Sequence, residues 1–201
     1  MAVDSWWPAD DAFEIMVGAV LTQNTSWTNV EKAIQQLKQH ELLSAEAMLA
    51  SDVALLAEVI RPSGYYNVKT KRLLALCDWY LQQGGEVVLA TWPMAKLRAG
   101  LLEVNGVGPE TADDIVLYAF HHPVFVIDAY TRRIFSRLGL LNEKAPYAEL
   151  QSQFEQAIPA DVKTYAHYHA LIIEFGKETC KTKPRCQACC LRDRCELAQV
   201  S

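Results

Sequence analysis

The 201-residue chain lacks any apolar run long enough to cross a bilayer. Its opening, Met1 to Trp7, has no basic stretch leading into an apolar one, which argues against a secretory leader. A soluble cytoplasmic protein with no membrane partner is therefore expected. Alternating apolar and polar positions of the kind that mark strands are also missing. Pro123 to Ile127 is apolar but too short to demand a strand. No internal repeat, low-complexity tract or long linker breaks the sequence. Positive charge is scarce, with a formal net charge of −5, which alone weighs mildly against a phosphate-rich partner. Outside the C-terminal tail the only cysteine is Cys77.

What is present is helical periodicity. Phe13, Ile15, Met16, Val17, Val20 and Leu21 mark a largely buried helix, with Asp10 or Asp11 available as its N-cap. Val30, Ile34 and Leu37 recur at helical spacing. Leu55 to Ile60 ends at the Arg61-Pro62-Ser63-Gly64 break, and Leu73 to Leu81 is closed by Gly84-Gly85. Leu97, Leu101 and Leu102 follow Trp92-Pro93, and Ala112, Ile115, Val116 and Ala119 form the next helical face. Further helices fit Ile127 to Leu138, Tyr147 to Ile158 and Tyr165 to Phe175. The class is all-α, built from many short helices, and the length suits one large domain or two small ones.

Charge and cysteine are unevenly spread. Lys69, Lys71 and Arg72 cluster, as do Arg132, Arg133 and Arg137, and then Lys177, Lys181, Lys183, Arg185, Arg192 and Arg194. Each cluster reads either as part of one basic face or as ordinary solvated surface. Cys180, Cys186, Cys189, Cys190 and Cys195 fall within sixteen residues. In a cytoplasmic protein that density reads as a metal or cluster site before it reads as disulfides.

Two further motifs carry chemistry. In Leu101-Leu102-Glu103-Val104-Asn105-Gly106-Val107-Gly108-Pro109-Glu110-Thr111-Ala112 one helix ends, two glycines turn the chain tightly, and another helix starts with Pro109 in its first turn. Such a turn either joins two helices without a ligand or presents first-turn N–H groups to a phosphate. In Val124-Phe125-Val126-Ile127-Asp128-Ala129-Tyr130-Thr131-Arg132-Arg133 an acid follows an apolar run and opens a basic helix. Asp128 reads as an N-cap, as a catalytic carboxylate, or as both.

A hairpin with Gly106-Val107-Gly108-x-x-Thr111-Ala112, followed by Val126-Ile127-Asp128 eighteen positions past Glu110, resembles the helix-hairpin-helix DNA glycosylases of the endonuclease III superfamily. The matching motifs run from about Trp7 to Cys195. The resemblance implies a two-lobed, all-α fold with a C-terminal iron–sulfur cluster loop. The lobes expected are 5–122, carrying the hairpin at about 97–120, and 123–201, carrying catalytic Asp128 and the cysteine loop 180–195. It implies base excision from a nucleotide flipped out of damaged double-stranded DNA, with Gly106, Val107, Gly108 and Thr111 on the phosphates and Gln23 filling the gap left by the flipped base. A monomer in the bacterial cytoplasm or nucleoid is expected. The family often adds an N-terminal helix to the second lobe, and this chain starts too late to supply it. Cys180, Cys186, Cys189 and Cys195, with five, two and five residues between them, resemble the family's [4Fe–4S] ligand set, the first gap being one residue shorter than usual. Zinc is the alternative. Lys183 and Arg185 then lie on a basic finger towards phosphate.

The departures bear on mechanism. Lyase-competent relatives carry a Schiff-base lysine where this chain has Glu110, so a monofunctional glycosylase is expected. Trp6-Trp7-Pro8, Gly18 to Thr25, and Arg61 to Leu73 resemble the 3-methyladenine glycosylase branch, in which Trp7, Pro8, Trp27 and Glu110 would belong to the base pocket. Cationic alkylated purines suit indole walls and leave readily. The rival readings are a bifunctional glycosylase/AP lyase for oxidised pyrimidines and a non-catalytic DNA-binding module. The histidines, His122, His167 and His169, are expected to be packed or hydrogen-bonded rather than catalytic.

Overall fold

A computed structural model describes residues 6–199; the expected domain limits at positions 5 and 201 lie outside them. Among the described residues every regular element is helical, as the sequence pattern predicts. None of these helices is long and apolar enough to cross a membrane. The chain divides into two compact units, one from Trp7 to His122 and one made of Trp6 with the chain from Pro123 onward.

The first unit is organised around α1 (Ala12–Leu21), in which Met16, Val17, Val20 and Leu21 are fully buried. A helix this apolar on every side belongs in a core. Asp11 caps it by accepting from Glu14 N at 2.8 Å, which leaves Asp10 to pair with Lys38. Packed around it are α2 (Trp27–Gln39), α5 (Tyr66–Gln82) and α8 (Pro109–Asp114). Two short helices, α3 (Ala45–Ala50) and α4 (Val53–Val59), lie against α5, and a 3₁₀ turn at Arg61–Ser63 makes the expected break. Then come α6 (Gly85–Leu89) and α7 (Met94–Leu102). The helical face at 112–119 is not uniform, because α8 passes into a π-helical turn at Ile115–Ala119. Helices α3 and α6 escape sequence reading, since five or six residues cannot establish a period.

The second unit contains α9 (Ala129–Arg137), α10 (Tyr147–Ala157), α11 (Val162–Glu178) and the short α12 (Glu196–Gln199). Phe125 stacks on Phe154 with ring centroids 4.5 Å apart, and Phe135, Tyr165 and Tyr168 close an aromatic core around them. Helix α9 starts at Ala129, two residues later than the expected Ile127. The apolar segment before it is extended, and α10 satisfies its backbone in place of a partner strand. Phe125 N donates to Glu155 at 3.0 Å, Gln151 donates to Phe125 O at 2.8 Å, and Ile127 N donates to Tyr147 Oη at 3.2 Å. That scaffold delivers Asp128 to the mouth of α9.

Gly176 has the Tyr130 ring against it, so α9 and α11 approach closely there; a Cβ would lie 2.3 Å from that ring. The arginine cluster on α9 is largely committed inside this unit. Arg132 donates to Glu143 O and Ala145 O, Arg133 to Gly176 O and Cys180 O, and Arg137 to Lys181 O and Thr182 O. The reading of these three as solvent-facing charge is thereby corrected.

Candidate functional site

The hairpin joins α7 to α8. Val104 and Val107 are buried, so Val107 can meet a partner only through its backbone. Gly106 sits at φ +89°, and a Cβ there would lie 2.2 Å from the Arg72 side chain; both backbone and space require glycine. Gly108 differs. Its φ of −93° suits any residue, and nothing lies within 4 Å of where its Cβ would be. Only an outside surface coming close would give glycine an advantage there. Arg98 grips Asp113 with two hydrogen bonds of 2.6 and 3.1 Å, tying α7 to α8. Asp113 is fully buried, and losing one partner of such a pair costs about 3 kcal/mol.

Gln23 is occupied in this structure. Its amide donates to Gly106 O and Thr111 Oγ1, both at 3.0 Å, and its oxygen accepts from Arg72. It braces the hairpin from inside, where sequence reading had it reaching into DNA. Lys69, read as part of a surface basic cluster, is 1 % exposed and donates to Leu21 O at 2.8 Å and Ser63 O at 2.6 Å. Burial, helped by the charge of Arg72, lowers its pKa to about 8. Tyr65 stands out at 72 % exposure on a left-handed backbone (φ +47°), a feature no sequence pattern announces.

Trp7, Pro8 and Trp27 line one cavity of about 370 Å³ together with Gly18, Glu14, Glu31 and Lys38. Gly18 makes room for the Trp7 indole, whose nitrogen lies 3.2 Å from where a Cβ would be. Trp7 meets Trp27 edge to face at 5.3 Å and Tyr118, from the π-helical turn, at 5.1 Å. A base held between the two indoles is therefore ruled out in this arrangement, because the rings touch and leave no slot; stacking is open on one face only. Glu110 is exposed in the first turn of α8 and does not line this cavity.

In the second unit Asp128 caps α9, Oδ1 accepting from both Thr131 N and Thr131 Oγ1 at 2.7 Å. It is 8 % exposed, and Oδ2 faces His169 Nε2 at 3.7 Å. Burial pushes the carboxyl up, but His169 and the Thr131 donors outweigh it and hold Asp128 below the ordinary carboxylate value. His169 is buried as expected, yet its position beside Asp128 was not foreseen. Forty residues separate the two, and no local pattern links them. His167 is exposed and His122 half-buried.

Cys180, Cys186, Cys189 and Cys195 line a single recess with Ile134, Leu138 and Phe175 around it, while Cys190 is exposed and outside it. Arg137 donates to Cys180 Sγ at 3.4 Å. Burial, with the neighbouring thiols, raises the pKa of Cys189. Among the described residues no three His, Cys, Asp or Glu side chains converge as on a single metal ion. Lys183 and Arg185 are exposed on the same loop, and Arg185 N is anchored to Thr179 O at 3.0 Å.

Residues 17–160 match the family described as HhH-GPD superfamily base excision DNA repair protein. The chain belongs to that superfamily. A candidate DNA repair glycosylase of Methanocaldococcus jannaschii is 48% identical over 198 residues, covering 95% of this chain and 88% of its own. An endonuclease III–DNA complex superposes with a TM-score of 0.85 at 25% identity, over 97% of this chain and 87% of its own. The H. pylori 3-methyladenine DNA glycosylase bound to 1,N6-ethenoadenine gives a TM-score of 0.75 at 32% identity, over 87% of this chain and 89% of its own. The protein is a DNA glycosylase of this HhH-GPD, endonuclease III-like family.

Proposed function

We propose that this HhH-GPD protein removes cationic, alkylated purines of the 3-methyladenine type from duplex DNA, and that it does so as a monofunctional glycosylase. The observation that carries the substrate is the cavity of Trp7, Pro8 and Trp27, whose free indole face and acidic rim suit a base bearing positive charge. The likeness to a 3-methyladenine glycosylase at 32% identity supports it. An N3- or N7-alkylated purine becomes neutral as it leaves, so little acid catalysis is needed. Asp128 supplies the other requirement, a permanently ionised carboxylate that stabilises the cationic sugar and orients water. In this reading the hairpin, through Gly106 to Thr111, and the exposed Lys183 and Arg185 hold phosphate.

The monofunctional mode rests on Glu110, a side chain that cannot form an imine. Lys69 has a lowered pKa, yet both its hydrogen bonds are to core carbonyls and it is sealed from any sugar. Methylated duplex DNA treated with the enzyme is expected to break only after hot alkali. Breaks without alkali would sink the monofunctional mode.

For the cysteine loop we infer a [4Fe–4S] cluster on Cys180, Cys186, Cys189 and Cys195. Four thiols spread around one recess suit a group that meets each at its own corner better than a lone zinc, whose sulfur ligands must all come within about 2.3 Å. When bound, such a cluster supplies four covalent ties that order the loop carrying Lys183 and Arg185. No step of base release passes through it.

A further inference from the structure

The cavity around Trp7 and Trp27 carries more charge than stacking needs. Three carboxylates line it, Asp10, Glu14 and Glu31, against one ammonium, Lys38. Lys38 is fully engaged, with Asp10 at 2.7 Å and Glu14 at 2.8 Å. Those two acids are thus spent within the protein, and Glu14 also accepts from Asp10 N at 3.0 Å. Glu31 is not. Its Oε1 accepts from the Trp27 indole N–H at 2.9 Å, and no cation among the described residues pairs with it.

We propose that Glu31 is a specificity-determining residue: its carboxylate, fixed at the rim by Trp27, selects bases that carry positive charge over neutral ones. This rests on the alkylpurine reading of the same cavity. The hydrogen bond does two things at once. It orients the indole, and it leaves Oε2 open at the edge of the stacking face. A cation on that face gains from the ring quadrupole and from the carboxylate together, whereas a neutral purine gains only the stacking. Because Glu31 is exposed, the carboxylate's share is modest and sensitive to salt.

Glu31→Gln separates charge from positioning, since the amide oxygen still accepts from Trp27. Quenching of tryptophan fluorescence is titrated with 7-methylguanosine, at mildly acidic pH where it is a cation, and with neutral guanosine. Wild type is expected to prefer the methylated nucleoside, and Glu31→Gln to reduce that preference about fivefold at low salt, less at high salt. Single-turnover release of 3-methyladenine from methylated DNA should fall by a similar factor. Glu31→Ala, which also frees the indole, should weaken both nucleosides. Equal weakening of both nucleosides in Glu31→Gln overturns the inference in favour of a positioning role, and no change in any readout overturns it outright. A wild type that prefers 7-methylguanosine yet releases no methylated purine would refute the proposed function and leave the role of Glu31 supported.

Discussion

Asp128→Asn should lower single-turnover base release by about a hundred- to a thousandfold, the usual cost of losing one preorganised electrostatic partner of a transition state. Binding to damaged duplex should survive, and so should the fold. Asparagine is as good an N-cap as aspartate, and its oxygen still accepts from Thr131 N and Oγ1. The pH profile follows with a definite sign. The folded carboxyl sits below its ordinary value of about 4, so it stays ionised as pH falls through that range, and the acidic limb of activity lies below it. The same group contributes stability above its unfolded pKa and loses it only as pH falls through the lower folded value. His169→Gln removes the largest lowering influence and should move the acidic limb upward. An Asp128→Asn enzyme with undiminished release would mean that the catalytic carboxylate lies elsewhere.

Cys186→Ala has the second large effect, on the loop rather than the chemistry. Iron is expected to drop from about four atoms per chain to near none, with loss of visible absorbance. Metal-site binding energy is also folding energy, so the thermal midpoint should fall by ~10–20 °C, equivalent to several kcal/mol for a domain of this size. Cys190→Ala should keep both iron and stability, because Cys190 is exposed and outside the recess. One zinc per chain in place of iron would refute the cluster.

Much of this architecture can be read in the residues. The buried all-apolar face of α1, the glycine pair of the hairpin and the acid at the mouth of α9 each obey a local rule of period, turn or cap, and local rules are what a sequence displays. What escaped was decided by tertiary contacts. Lys69 looks like surface charge but is drawn inward to two carbonyls that a helix end and a 3₁₀ turn leave unsatisfied. Gln23 finds partners more than eighty residues away. His169 faces Asp128 because α11 packs on α9, with Gly176 letting the helices close. Glu31 looked like one more charge on an exposed helix face, and only its contact with Trp27 sets it apart. The edge-to-face contact of Trp7 and Trp27 likewise depends on Gly18, whose small size reads in sequence as nothing more than a break in apolar periodicity.

The central claim is the identity of the released base. Duplex DNA carrying methylated purines, and a second duplex carrying oxidised pyrimidines, would be incubated with the enzyme and the freed bases separated by chromatography. The account predicts 3-methyladenine or 7-methylguanine from the first and nothing from the second. Release of oxidised pyrimidines with the methylated purines left in place would contradict it, and would reassign the Trp7–Trp27 cavity from substrate pocket to core packing.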